Sequence, residues 1–213
     1  MKKYTLVVVD DHKLIRQMWT KLFARHEQIE ITGESGQFDE AVAMIKEQKP
    51  DVVLLDINLD GASGLDAVPL IRQYSPDTKI IGVSMYNQPA YAKKMLRLGA
   101  MGYVTKNSSH EEMMQALDAV LNNKIYVCEE IKNTLTDELL NDEQGKPNIN
   151  ALSLREIEIL KLIKFGFSSK EISDKLAISV RTAEVHRHNI MKKLHFRNTA
   201  SLITFINKPD VTL

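Results

Sequence analysis

Five short apolar runs, each separated from the next by a helix-length stretch, constrain this chain more than any other feature. They are Tyr4-Thr5-Leu6-Val7-Val8-Val9, Ile29-Glu30-Ile31-Thr32-Gly33, Asp51-Val52-Val53-Leu54-Leu55, Lys79-Ile80-Ile81-Gly82-Val83 and Gly102-Tyr103-Val104-Thr105. Continuous apolar strands of this kind belong in a parallel sheet covered on both faces; the second run alternates and is expected nearer an edge. Between the runs, apolar residues recur at helical spacing: Leu14, Ile15, Met18, Leu22 and Phe23, then Ala41, Met44 and Ile45, then Ala92, Met95, Leu96 and Leu98. Ser109-His110-Glu111-Glu112 has the form of a capping box, opening a helix whose apolar face is Met113, Leu117, Val120 and Leu121. Five β-α units predict a doubly wound α/β domain over residues 1–123, with its ligand crevice at the carboxyl ends of the strands.

A chain of 213 residues has room for two domains. Residues 124–149 hold an acidic stretch, Glu129-Glu130 to Asp142-Glu143, and the breaker Gly145-Lys146-Pro147. They are expected to form a linker, with a helix at 128–141 as an option. From 150 to 213 only helical spacing remains. Ser153-Leu154-Arg155-Glu156 and Ser168-Ser169-Lys170-Glu171 are capping-box sequences, Gly166 ends the first helix, and Ile178-Ser179 turns into a third starting at Val180. With a fourth helix at about Thr199 to Ile206, this is a small all-α, four-helix domain whose middle pair is spaced as a helix-turn-helix. Residues 150–213 carry 11 Lys and Arg against 6 Asp and Glu, net +5; residues 1–149 carry 17 against 22, net −5. A basic second part suits a polyanionic partner, although solvated faces alone can produce such an asymmetry. No apolar run nears the roughly 20 residues that span a bilayer, and the start lacks a signal-peptide pattern. Cys128 is the only cysteine, so an intramolecular disulfide and a Cys-rich zinc site are excluded. The chain is expected in the cytoplasm, with no membrane partner.

Chemistry-bearing groups gather where the strands should end. Asp10 and Asp11 follow the first, Asp56 the third, Ser84 the fourth and Lys106 the fifth. Strands one and three are neighbours in a doubly wound sheet, so three carboxylates would meet at the switch point. They repel one another unless a cation balances them, and oxygen-only ligands suit Mg²⁺. Ser84 and Lys106 beside a metal-bound carboxylate would cradle a phosphoryl group, with Asp56 the nucleophile that forms an acyl phosphate. Taken singly, each residue has a plainer role: Asp10 as a helix cap, Ser84 in a turn, Lys106 as a solvated surface lysine. Their coincidence at matched strand ends favours the phosphoacceptor. A Mg²⁺-dependent phosphohydrolase could use the same carboxylates, but no second acid or substrate pocket is evident. A flavodoxin-like cofactor binder needs a glycine- or hydroxyl-rich loop after strand one, where Asp10-Asp11 would repel its phosphate.

Asp10-Asp11, Asp56, Ser84 and Lys106 together resemble the receiver domains of two-component response regulators, over the first 122 residues. The resemblance implies a five-stranded, flavodoxin-like fold and transfer of phosphate from a sensor histidine kinase to Asp56. It also implies Mg²⁺ held by Asp11, Asp56 and the Asn58 carbonyl, with Asp10 acting through water. Ser84 and Tyr103 then form a switch pair: on phosphorylation the hydroxyl turns to the phosphate and the Tyr103 ring swings inward. Without the resemblance, Tyr103 reads as a half-buried strand aromatic. Leu59-Asp60 stands where many receivers carry Met-Pro, and Lys106-Asn107 where many carry Lys-Pro; both bear on loop shape.

Residues Leu152 to about Ile206 are similar to the LuxR-type helix-turn-helix. The matching residues are Leu152-Ser153-Leu154-Arg155-Glu156, Gly166, Lys170-Glu171-Ile172, Leu176, Ile178-Ser179, Thr182, Val185-His186, Ile190 and Lys193-Leu194. Receiver plus this output is the architecture of the NarL/FixJ subfamily, which implies a transcription regulator whose helix Ser179 to His195 enters the major groove of promoter DNA. Arg181, Arg187, Lys192 and Lys193 would meet phosphates, while Glu184, Val185 and His188 would face base edges. Glu184 stands where relatives commonly carry a basic residue. Ile190 and Leu194 should face the core, and His186 should pack or cap. A phosphorylated homodimer on two half-sites is the implied unit, with the fourth helix closing the core or adding to the interface. RNA polymerase is a further candidate partner. No enzyme activity is expected beyond the receiver's own phosphorylation and dephosphorylation.

Overall fold

The computed structural model describes residues 3–59, 62–85, 87–141, 147–208 and 211; Asp60 and the Gly145-Lys146 step lie outside them. The chain divides into two compact units, Met1–Lys132 and Asn133–Leu213.

In the first unit, β1 (Tyr4–Val9), α1 (Lys13–Phe23), β2 (Ile29–Ser35), α2 (Phe38–Gln48) and β3 (Val52–Asp56) follow one another. Next come β4 (Asn58–Leu59), β5 (Ala62–Ser63), α3 (Gly64–Tyr74), β6 (Lys79–Ser84), α4 (Pro89–Leu98), β7 (Gly102–Thr105), α5 (His110–Leu121) and β8 (Tyr126–Val127). Helix α6 (Glu129–Asn141) begins in this unit. The main sheet is parallel, ordered β2-β1-β3-β6-β7-β8, and β4-β5 is a separate antiparallel pair. Successive strands run to one side of β1 and then return on the other, which opens a crevice at the carboxyl ends of β1 and β3. The apolar runs fill the middle layer: Val7 to Val9, Val52 to Leu55, and Ile80 and Ile81 are almost wholly buried.

Two features differ from the sequence expectation. The sheet has six strands, not five, because Tyr126 and Val127 pair with Gly102 and Tyr103. Cys128 and Ile131 just beyond are fully buried, so the start of the expected linker packs into the first unit, past residue 123. A two-residue strand is too short to show any periodicity. In α1 the expected stripe is rotated: Trp19 and Phe23 are buried, whereas Leu14 is 80% and Met18 45% exposed. Two overlapping faces of this helix are apolar, and the larger aromatic area of Trp19, stacked with Phe23 at 6.2 Å between ring centres, takes the inside.

In the second unit a 3₁₀ turn (Ile149–Ala151) leads into α7 (Leu154–Lys164), α8 (Ser169–Lys175), α9 (Val180–Lys193) and α10 (Thr199–Ile206). Both capping boxes close: the Ser153 and Ser168 side chains accept from the backbone of Glu156 and Glu171, whose carboxylates reach back. Helix α9 packs on α7 and α8, and α10 packs on α7. Their shared core includes Ile157, Leu160, Ile172, Ala183, Ile190, Leu194, Leu202 and Ile206. Among the described residues, no helix is long and apolar enough to cross a membrane.

Gly64 ties the fold to the crevice. A Cβ placed there would lie 1.9 Å from the Asp56 carbonyl oxygen, and the Gly64 N–H donates to the Ile57 carbonyl at 2.7 Å. The obstacle is backbone, which cannot swing aside as a side chain can. Gly64→Ala is therefore expected to destabilise the first unit by at least the 1–3 kcal/mol typical of overpacking, about 2 or more. Urea unfolding followed by fluorescence of Trp19, the only tryptophan and a residue of this unit, checks it; an unchanged midpoint would contradict the packing described.

Candidate functional site

Asp10 follows β1, Asp56 closes β3 and Lys106 follows β7, so all three stand at carboxyl ends of one sheet. Lys106 Nζ lies 2.8 Å from Asp10 Oδ2 and 2.6 Å from Asp56 Oδ2; its side chain is 4% exposed and each carboxylate 2%. The plainer roles are not the ones observed. Lys106 is not a solvated surface group. Asp10 is not the cap of α1, a position held by His12; instead Asp10 Oδ1 accepts from the His12 N–H at 2.9 Å. Ser84 is the last residue of β6 and fully buried. The remaining Asp56 oxygen, Oδ1, accepts from the Asn58 N–H at 3.1 Å.

Burial pushes the Asp56 carboxyl up to about 6; the Lys106 hydrogen bond opposes this and the Asp10 charge adds to it. For Lys106, burial alone would lower the pKa, but hydrogen bonds to Asp10 and Asp56 outweigh it and hold the ammonium raised and charged. Asp11 Oδ1 pairs with His12 Nδ1 at 2.5 Å. Ligand atoms of Asp10, Asp11, His12 and Asp56 all lie within 4.8 Å of one another. Three carboxylates against one buried ammonium leave an excess of negative charge, and a donor set dominated by carboxylate oxygens fits a hard divalent cation. Sequence reasoning missed His12 and Arg16. The adjacency of His12 to the Asp pair was a readable signal. Nothing marks Arg16, whose Nη1 donates to the Asp10 carbonyl at 2.6 Å.

Ser84 and Tyr103 share a hydrogen bond, and burial raises the Tyr103 phenol against that bond. Tyr103 is fully buried rather than half-buried. The ring thus lies inside the sheet's packing, with its hydroxyl on Ser84. Gly82 is packed mainly by Met95, whose Cε would lie 2.5 Å from an added Cβ, with the Tyr103 ring in ordinary contact at 3.5 Å.

In the second unit, α9 splits its basic residues between two jobs. Arg181, Glu184, Val185, His188 and Lys192 are exposed and follow the spacing i, i+3, i+4, i+7, i+11, a single stripe along the helix. Arg187 falls toward the face of Ala183, Ile190 and Leu194. It is half-buried, donates from Nη1 to the Phe167 carbonyl at 3.2 Å, and burial lowers its pKa. Lys193 Nζ pairs with Glu156 Oε2 at 2.7 Å. Glu156 is 3% exposed; burial would raise its pKa, but the bonds from Lys193 and Ser153 hold it below the usual carboxylate range. Arg187 and Lys193, expected at phosphates, are thus engaged within their own unit. Ile190 and Leu194 are buried.

A parallel sheet with a buried Asp-Asp-Lys crevice, followed in the chain by a separate four-helix unit, is the frame of a signal-receiving protein with a helical output. Residues 6–118 match the response regulator receiver domain, and residues 150–206 match the bacterial regulatory proteins of the luxR family. The oxygen regulatory protein NreC of Staphylococcus epidermidis is 33% identical over 210 residues, covering 95% of this chain and 96% of the relative. NreC of Staphylococcus haemolyticus is 34% identical over 209 residues, again 95% and 96%. A LuxR-family two-component response regulator from Aurantimonas sp. SI85-9A1 is similar in structure, with a TM-score of 0.62 and 30% identity over 65% of this chain and 99% of that one. RcsB from Salmonella enterica serovar Typhimurium, solved on the promoter rprA with BeF3-, has a TM-score of 0.70 at 23% identity over 97% of this chain and 100% of that one, a likeness of fold. The chain belongs to the two-component response regulators, with a DNA-binding output domain of the luxR family.

The Asp56 shift sets a pH dependence. A carboxyl whose pKa is raised on folding, here from 3.8 to about 6, contributes stability that is full below 3.8 and lost as pH rises through 6. In metal-free buffer, wild-type stability should therefore fall relative to Asp56→Asn between about pH 4 and pH 8, leaving the variant ahead by on the order of 1–3 kcal/mol. Denaturant midpoints across that range test it, and parallel curves for the two proteins would assign the titration elsewhere.

Proposed function

We propose that Asp56 takes a phosphoryl group from a sensor histidine kinase and that its phosphorylation controls how the second unit engages promoter DNA. The single observation that carries this is Lys106 bridging Asp10 and Asp56 in a buried crevice. A P–O bond forms at an Asp56 carboxylate oxygen as the P–N bond of the donor phosphohistidine breaks. Burial raises the Asp56 pKa, while the hydrogen bond from Lys106 favours the carboxylate form that attacks. The Asn58 N–H holds Oδ1 while Lys106 faces the transferring oxygens and stabilises their charge. Asp11, Asp56 and the Asn58 carbonyl, with Asp10 through water, would hold Mg²⁺, which when bound supplies further charge stabilisation to the phosphoryl oxygens. Ser84 and Tyr103 act as the switch pair. Beyond its own phosphorylation and dephosphorylation the chain acts as a regulator rather than an enzyme.

In functional terms residues 1–123 are the receiver, 124–149 the connection and 150–213 the output. On DNA the exposed stripe of α9 does the reading: Arg181 and Lys192 at phosphates, Glu184, Val185 and His188 at base edges, with Val185 suited to a thymine methyl and Glu184 to a cytosine amino group. One helix covers only a few base pairs, so a phosphorylated homodimer on two half-sites is the working unit. The cytoplasm, where kinase and promoter are both within reach, is the place of action, and RNA polymerase is a candidate partner there.

Selection from random duplexes, with and without acetyl phosphate and Mg²⁺, tests the switch beside Asp56→Asn. Sequence-specific binding should tighten with the donor in the wild type alone; equal binding by both proteins whatever the donor would sink it. A second comparison separates the two kinds of basic residue on α9. Arg181→Ala should lower the slope of log affinity against log salt by about 1. Arg187→Ala should leave that slope unchanged and lower stability instead, and a loss of slope there would reverse the assignment.

A further inference from the structure

Helix α6 follows β8, which pairs with β7, the strand that carries Tyr103. The Tyr126 N–H donates to the Met101 carbonyl at 2.9 Å and the Cys128 N–H to the Tyr103 carbonyl at 3.0 Å, so β8 hangs on β7 by its backbone. A strand of two residues is a weak attachment by itself. Two side-chain bonds reinforce it. The Thr105 hydroxyl donates to Glu130 Oε2 at 2.8 Å, and the Glu129 N–H donates to Glu112 Oε1 at 2.7 Å. Thr105 is 1% exposed and immediately precedes Lys106, and Ile131, beside Glu130, is fully buried. The Glu130 carboxylate is also near enough to Tyr103 to add to the upward push on its phenol. Asp56, Lys106, Thr105 and Glu130 therefore form one run of ion pair, chain neighbour and hydrogen bond, and the last member belongs to α6.

We propose that Glu130 is a positioning residue that fastens the first turn of α6 to Thr105, so that rearrangement of Lys106 on phosphorylation is passed to the helix leading out of the first unit. This rests on phosphorylation of Asp56. The device needs an element with two arrangements, and Lys106 supplies one. Its ammonium bridges the Asp10 and Asp56 carboxylates. A phosphoryl group on Asp56 moves the anionic oxygens outward, and Lys106 must re-pair to follow them. Thr105 shares a peptide bond with Lys106, and its bond to a carboxylate is of the stronger, charge-assisted kind. Helix α6 continues past Lys132, where the first unit ends, so its first turn is the part of the connection fixed to the receiver.

Hydrogen exchange of the full chain, with and without acetyl phosphate and Mg²⁺, reads the coupling directly; intact mass reports phosphate on Asp56. In the wild type, exchange across residues 128–136 should change several-fold on phosphorylation. Thr105→Val and Glu130→Ala should gain phosphate to the wild-type extent while this segment no longer responds, and Thr105→Ser, which keeps the hydroxyl, should restore the response. A merely structural bond would raise exchange by the same factor in both states and leave the response intact; that result overturns the proposal, as does a wild-type segment that ignores the phosphate. If no phosphate reaches Asp56 in the wild type, the phosphoacceptor function fails and the coupling fails with it.

Discussion

A single buried ammonium holds the crevice of this protein together. Two carboxylates about 4 Å apart, at an effective dielectric near 20, repel by about 4 kcal/mol. Asp10 and Asp56 stand at the ends of adjacent strands, almost without solvent, and Lys106 lies within 2.8 Å of both. The backbone geometry that brings these three together is the parallel register itself: β1 beside β3, β3 beside β6, β6 beside β7. The same register sets Ser84 beside Thr105 and Gly82 beside Tyr103, and the Ser84 side chain bonds the Tyr103 phenol. Remove the lysine and the crevice keeps its shape only by protonating a carboxylate or taking up another cation. A site this dependent on one positive charge is also a site that responds when a phosphoryl group adds negative charge.

Much of this was legible because strand ends are marked twice, by an apolar run that stops and by the polar residue that follows. Val7-Val8-Val9 before Asp10, and Val52 to Leu55 before Asp56, leave little freedom in where the carboxylates go. Capping boxes did the same for the second unit, since Ser153 with Glu156 and Ser168 with Glu171 fix helix starts locally. What could not be read was decided by tertiary competition. Helix α1 offers two apolar faces, and only the finished packing shows that Trp19 rather than Leu14 and Met18 turns inward. Tyr126-Val127 carries no pattern of its own; it becomes a strand because β7 offers an open edge. Arg16 contributes to the crevice through a backbone carbonyl, a contact that residue type alone does not announce.

The second unit illustrates how charge counts mislead when side chains have internal partners. Four basic residues of α9 look equivalent in sequence, yet Arg187 satisfies the Phe167 carbonyl and Lys193 neutralises a buried Glu156. Removing Lys193 would leave the buried Glu156 carboxylate without its ammonium partner, which is costly. These two residues therefore orient α9 against α7 and the turn before α8, and that orientation is what presents Arg181, Glu184, Val185, His188 and Lys192 as one stripe. Internal anchoring and the exposed stripe are divided between neighbours on a single helix.

The sixth strand has a consequence for solubility. An outer strand with free N–H and C=O groups is a template for edge-to-edge association, and β7, rich in apolar residues, would be such an edge. Tyr126 and Val127 cover part of it, and the buried Cys128 and Ile131 pin that cover in place. A receiver fragment cut at residue 123 would lose that cover and expose the whole β7 edge, whereas one carried through Lys132 would keep the partial cover.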